Sequence, residues 1–121
     1  MVTMIKKMWV TINTQFEGMH HWKDAPEEVE FLRFPHRHMF HINIKLLVDE
    51  YDRDIEIILC KRFIDKLLQE LKLTIALEGW SCERIAVQLA NDLLAKYDSK
   101  EVKVEVLEDG ENGGGCHASK G

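Results

Sequence analysis

Apolar and polar positions alternate along the first third of the chain, as they do in strands that bury one face. Residues 4–16 and 37–49 carry this alternation, which predicts two strands, and residues 17–35 between them are expected to form a long loop. A short extended piece over residues 55–59 is expected to form a hairpin with the second strand. Connections as long as the predicted loop often have a functional role.

Two amphipathic helices are predicted next. Residues 61–72 place apolar side chains three and four positions apart, and a second helix is expected to start after Ser81, a favourable N-cap residue. Residues 100–107 alternate again and predict a last strand. Strands grouped apart from helices indicate an α+β fold, an antiparallel sheet with both helices packed on one face.

The composition fits a single globular domain. The chain has 121 residues, of which 45% are hydrophobic and 31% charged, enough to bury a core. We assign the domain to residues 1–109. Residues 110–121 hold five of the seven glycines and are predicted to be a flexible tail.

Charge and hydropathy exclude some classes of partner. The net charge of −5 and the lack of a basic run argue against nucleic acid. No apolar run reaches the roughly 18 to 20 residues of a membrane helix, and the N-terminus lacks a signal-peptide pattern, so we expect no membrane partner and a cytoplasmic location. The three cysteines are widely spaced, which favours free thiols.

His36 and His38 open the second predicted strand and form an H-x-H pair. Alternate side chains of a strand point to the same face, so the two imidazoles are expected to lie together. Two neutral imidazoles form half of a zinc site, and a third ligand can come from elsewhere in the fold. The segment upstream offers two candidates for it, His20 and His21, and the pattern alone does not choose between them.

Four short segments, taken in order, carry a family resemblance. Residues 16–20 (FEGMH) are similar to F-x-A-A-H, residues 36–38 (HRH) to H-G-H, residues 81–86 (SCERIA) to T-S-E-N-x-A, and residues 104–108 (VEVLE) to V-x-V-x-E. These motifs belong to the 6-pyruvoyl-tetrahydropterin synthase and 6-carboxytetrahydropterin synthase family of tunnelling-fold enzymes. The resemblance spans most of the chain, and only the order of the four segments is specific.

The resemblance implies a zinc site and a bound small molecule. Zinc would be held by His20, His36 and His38, the motif register favouring His20 over His21. Glu108 would grip the guanidine-like edge of a pterin- or purine-like ligand, because a carboxylate accepts two parallel hydrogen bonds. The remaining candidates for ligand binding are Glu83 in the third motif, an aromatic side chain for stacking (Trp22, Phe34 or Trp80) and an arginine for a phosphate or carboxylate (Arg33, Arg37 or Arg84).

The chain departs from the family where its catalytic residues are expected. The family's cysteine four residues before H-x-H is Leu32 here, and residues 71–80 contain no counterpart of its Asp-His pair. We therefore expect a zinc-containing ligand-binding protein that lacks the standard catalytic set. Two alternatives stay open. One is an active zinc-dependent lyase acting on a pterin, which would use a metal-bound water, or Cys60 or Cys82 in place of the missing cysteine. The other is a metal-free interaction module.

A sheet with helices on one face leaves its edges and its other face uncovered. The resemblance implies that several such sheets join into a barrel, in a trimer- or hexamer-like homo-oligomer. We expect the same of this chain.

Overall fold

The computed structural model describes residues 2–121, which form one antiparallel sheet and two long helices. The sheet has the strand order β1-β2-β3-β4, with every neighbouring pair antiparallel. A 3-10 segment over Glu27–Arg33 lies between the first two strands. The elements are β1 (Met8–His20), β2 (His36–Val48), α1 (Ile57–Glu78), α2 (Cys82–Lys96), β3 (Glu101–Glu108) and β4 (Asn112–Ser119).

Both helices cover the same face of the sheet, where the core lies. Helix α1 packs on β1, and α2 packs on β3 and β4. The strands contribute side chains of one parity to this core, in register with one another: Ile12 pairs with Ile44, which pairs with Val104, and all three are buried. This confirms the predicted α+β fold with an antiparallel sheet. Neither helix is both long enough and apolar enough to cross a membrane, within residues 2–121.

The predicted extended piece at residues 55–59 is wrong, because α1 begins at Ile57. The Glu56 side chain accepts a hydrogen bond from the Ile58 N–H (2.6 Å) and caps the helix. Short apolar runs such as this one fit a strand and a helix equally well. The helix continues past the predicted end at residue 72 to Glu78, where Gly79 stops it with a left-handed φ of 66°.

The first strand lies four residues later than predicted and ends at His20, so this histidine belongs to β1 and not to the loop. The second helix starts after Ser81 as predicted, and the Ser81 hydroxyl accepts a hydrogen bond from the Arg84 N–H (3.1 Å).

The segment predicted to be a flexible tail contains a strand that the sequence analysis did not predict, because Asn112–Ser119 form β4 along the edge of β3. A tight turn joins the two strands. Asp109 and Gly110 have φ values of 55° and 74°, and the Glu111 N–H donates to the Glu108 carbonyl (2.9 Å). Positive φ at both central positions is typical of the type I′ hairpin turn, for which Asp-Gly is a favoured sequence.

Candidate metal centre

The pairing of β1 with β2 brings three histidines together at one end of the buried face. His20 and His36 are direct partners across the two strands, and His38 follows two residues later on the same face. The ring centroids are 4.5 Å apart for His20 and His36, 5.2 Å for His20 and His38, and 5.0 Å for His36 and His38. Strand parity also decides between the two upstream candidates, because His21 falls outside the group.

The last residue of β3 adds a carboxylate to the three imidazoles. Glu108 pairs with Phe40 in the sheet, and its Oε2 lies 2.9 Å from His20 Nε2 and 3.5 Å from His38 Nε2. One donor atom from each of His20, His36, His38 and Glu108 lies within 4.8 Å of the others. In a tetrahedral zinc site such atoms are about 3.4 Å apart, so the group can hold a metal ion after a small contraction.

The other nitrogen of each imidazole is tied to an oxygen. Nδ1 of His20 lies 2.8 Å from the Trp80 carbonyl, Nδ1 of His36 lies 2.9 Å from the Phe34 carbonyl, and Nδ1 of His38 lies 2.7 Å from Asp109 Oδ2. Carbonyl and carboxylate oxygens only accept hydrogen bonds, so each Nδ1 carries the proton and donates it. With Nδ1 as the donor, the lone pair of a neutral imidazole lies on Nε2, which is the arrangement that metal-binding histidines adopt.

The electrostatics of His20 favour its neutral form. Only 8% of the residue is exposed, and burial lowers its pKa more than the nearby Trp80 carbonyl and Glu108 carboxylate raise it. Its Nε2 is buried and makes no hydrogen bond, although a carboxylate oxygen lies beside it. Two facing acceptors without a proton between them are costly in a buried site. A cation between them satisfies both, so the donor set fits a metal ion.

Asp109 is held in its ionised form by the same contacts that orient it. Its pKa is lowered, first by the hydrogen bond from His38 and then by the one from the Met39 N–H. The sequence reasoning missed this residue, and it missed the roles of the Trp80 and Phe34 carbonyls. The Asp109-Gly110 dipeptide was a usable signal for the hairpin that places Asp109, whereas nothing in the sequence marks a particular carbonyl.

A cavity of about 460 Å³ opens beside the four donors. Its walls include His20, His36 and Glu108 from the metal group, and none of its lining residues within the described chain is a lysine or arginine. Six further side chains line it and bear on its chemistry: Trp22, Leu32, Trp80, Cys82, Glu83 and Asn112.

The predicted ligand-binding residues fall in different places. Trp22, which is 51% exposed, and Glu83 both line the cavity. Arg37 does not, because strand parity turns it to the opposite face, where its Nε lies 3.0 Å from Glu17 Oε1. Two other predicted arginines also lie outside the cavity lining: Arg33 donates to the Ala25 carbonyl (2.8 Å), and Arg84 stacks over the Trp80 ring at 4.7 Å.

Comparison with known proteins does not assign the chain to a family. No protein-family model matches the chain, and a search of curated proteins gives no match. The resemblance to the pterin synthase family therefore stays a prediction.

Proposed function

We propose that this protein binds zinc through His20, His36, His38 and Glu108, and binds a small planar heterocycle in the adjoining cavity. The observation that carries the proposal is the group of donor atoms, one from each of three imidazoles and one from a carboxylate, within 4.8 Å of one another, while all three Nδ1 atoms are engaged elsewhere. Imidazole nitrogens with a carboxylate oxygen in a four-donor group suit zinc better than calcium or magnesium, which prefer oxygen ligands.

The donor count favours a binding role over the reaction of the enzymes that the chain resembles. Zinc that takes part in catalysis keeps one position open for water or substrate, whereas Glu108 here supplies a fourth protein ligand. A bound zinc ion would contribute a Lewis acid at this position and would tie three strands together. The chain's own residues would hold the ion and form one wall of the ligand cavity.

The lining of the cavity supports a pterin- or purine-like ligand. Its polar walls include the Glu83 carboxylate, which accepts hydrogen bonds from ring N–H and amino groups, and the half-exposed Trp22 ring offers a stacking surface. Because no lysine or arginine of the described residues lines the cavity, a ligand without a phosphate group fits it better than a phosphorylated one.

The active-lyase alternative needs a nucleophile or a base at the same cavity. Leu32, the counterpart of the family's cysteine in the resemblance, lines the cavity with an apolar side chain. Cys82 also lines it, but burial raises the pKa of this thiol to about 12, which makes it a poor nucleophile at neutral pH. Turnover of dihydroneopterin triphosphate by the zinc-loaded protein would decide for the lyase and against a purely binding role.

A homo-oligomer, trimer- or hexamer-like, is part of the proposal. Strands β1 and β4 are the two edges of the sheet, and neither has a further strand beside it within the described chain. The face away from the helices carries polar pairs such as Asn13 and Asn43, joined by a hydrogen bond of 2.6 Å. Joining β1 of one copy to β4 of another would cover both edges.

Native mass spectrometry of untagged protein, purified without chelator, tests the proposal as a whole. We expect a ring-sized oligomer with one zinc per chain, and any retained ligand adds its own mass. The double variant His36→Ala/His38→Ala should lose zinc. The matched control is His41→Ala, which removes an imidazole from the same strand on the opposite face. If neither the original protein nor the His41→Ala control takes up zinc, the result would favour the metal-free interaction module.

A further inference from the structure

Asp109 lies where the pairing of β2 with β3 ends, next to the metal group. It directly follows Glu108 and would be the next partner of Met39 in the ladder between β2 and β3. Its N–H donates to the Met39 carbonyl (2.7 Å), as in a regular strand pair. With a left-handed φ of 55°, Asp109 leaves the strand conformation, and its side chain accepts the hydrogen bond from the Met39 N–H that a strand carbonyl would accept.

The two carboxylate oxygens of Asp109 serve two different donors. Oδ1 accepts from the Met39 N–H (2.9 Å), and Oδ2 accepts from His38 Nδ1 (2.7 Å). The first contact completes the strand pairing, and the second fixes which nitrogen of His38 carries the proton. Of the three histidines, His20 and His36 are oriented by backbone carbonyls, whereas His38 is oriented by a side chain.

We propose that Asp109 is the positioning residue of the metal centre, which holds the Nε2 lone pair of His38 toward the metal. The proposal rests on the proposed zinc function. A carboxylate is required because both oxygens must accept. When a metal-binding histidine donates its other ring N–H to such an outer acceptor, the hydrogen bond fixes its tautomer and raises its basicity as a ligand.

Replacement by asparagine separates this role from the role of Asp109 in the turn. Asparagine is as favourable as aspartate in a type I′ turn, and its Oδ1 can still accept from the Met39 N–H. Its NH₂ group would then face His38 Nδ1 as a donor. An imidazole changes tautomer readily, whereas a backbone N–H cannot, so His38 would carry its proton on Nε2 and face the metal with the wrong nitrogen.

Replacement by glycine keeps the turn but removes both side-chain contacts. Gly-Gly also forms the type I′ turn, but Asp109→Gly removes the acceptor of the Met39 N–H together with the acceptor of His38. His38 is then free to adopt either tautomer. A purely structural role predicts that glycine is the more damaging change, whereas the positioning role predicts that asparagine weakens zinc binding more.

The test measures zinc affinity by competition with a chromophoric chelator, on the full chain as purified and then stripped of metal. We expect Asp109→Asn to weaken binding by about 10- to 100-fold, and Asp109→Gly to weaken it less. Thermal melting of the metal-free proteins should show Asp109→Asn close to the original protein. Long-range ¹H–¹⁵N spectra of the metal-free forms should place the His38 proton on Nδ1 in the original protein and on Nε2 in Asp109→Asn.

Unchanged zinc affinity in Asp109→Asn, or a larger loss in Asp109→Gly, would overturn the positioning role. If the original protein binds no zinc, the proposed function fails instead. The tautomer of His38 in the metal-free proteins then still tests whether Asp109 sets it, so the two failures are distinguishable.

Discussion

The middle and one end of the helix-covered sheet face share the same alternation of side chains. They differ in the types of residue that the alternation places on this face. In the middle, side chains such as Ile44 and Val104 are buried against the two helices. At the end, the same strand parity presents imidazoles and a carboxylate, which we call the polar end: His20, His36, His38 and Glu108.

The difference between the two regions shows how one sheet face carries both an apolar core and a candidate metal centre. Removal of apolar surface from water stabilises the middle without any specific partner. The polar end needs a named partner for each polar atom, and three of these partners lie outside the strands: the carbonyls of Phe34 and Trp80 and the carboxylate of Asp109. Among the described residues of the polar end, His20 Nε2 is a buried atom without a hydrogen-bond partner, which a metal ion would satisfy.

A cavity in the middle should cost the fold most. Ile44→Ala removes a fully buried side chain, so we expect the free energy of unfolding to fall by about 2–5 kcal/mol in urea denaturation. Asn43→Ala, the neighbouring residue on the other face, should change it by about 0.5 kcal/mol or less. Similar losses in the two variants would contradict the assignment of the core to one face.

Zinc should stabilise the protein through the polar end alone. At a free zinc concentration of 100 times Kd, we expect the free energy of unfolding to rise by about 2.7 kcal/mol, and a chelator should reverse the gain. The measurement is thermal or urea unfolding with and without zinc. His36→Ala/His38→Ala should show no gain, and a gain that persists in this variant would locate the metal elsewhere.

The N-cap of α2 should contribute a smaller amount to the stability of the fold. Ser81→Ala removes the acceptor of the Arg84 N–H, which we expect to lower the free energy of unfolding by about 1 kcal/mol. Ser81→Asp keeps an acceptor at the cap and should restore most of the loss. Because residue 81 follows Trp80, zinc titration of both variants reports whether this cap also steadies the carbonyl that orients His20. An alanine variant as stable as the original protein would show that the cap contributes nothing.

The reactivity of the Cys82 thiol shows whether this residue belongs to the buried apolar region. It lines the cavity but is only 5% exposed, and burial, with smaller contributions from Glu108 and Glu83, raises its pKa to about 12. We expect little alkylation by iodoacetamide at pH 8 in the folded protein and rapid alkylation in urea, followed by mass spectrometry. The raised pKa favours folding fully below about pH 9, and this contribution is lost as the pH rises toward 12. Rapid labelling of the folded protein would show that the Cys82 thiol is accessible and not buried.

The strands and helices were predictable where local patterns are strong. The alternation in β1, β2 and β3 and the cap at Ser81 gave the α+β class and the helix-covered face. The extended piece at residues 55–59 was mispredicted and β4 was missed for a shared reason, since short apolar runs and glycine-rich segments have weak local preferences. The glycines of β4 adopt a strand conformation because the backbone of β3 provides hydrogen-bond partners along its edge.

The sequence by itself determined that His36 and His38 share a face, because strand geometry allows no other arrangement. The resemblance to the pterin synthase family added His20 as a candidate zinc ligand and Glu108 as a candidate ligand-binding residue, not as a metal ligand. Only the tertiary structure decided that His20 pairs with His36 and that Glu108 meets the histidines, because both depend on strand register. The tertiary structure alone brought Asp109 to His38, since this contact joins positions 71 residues apart.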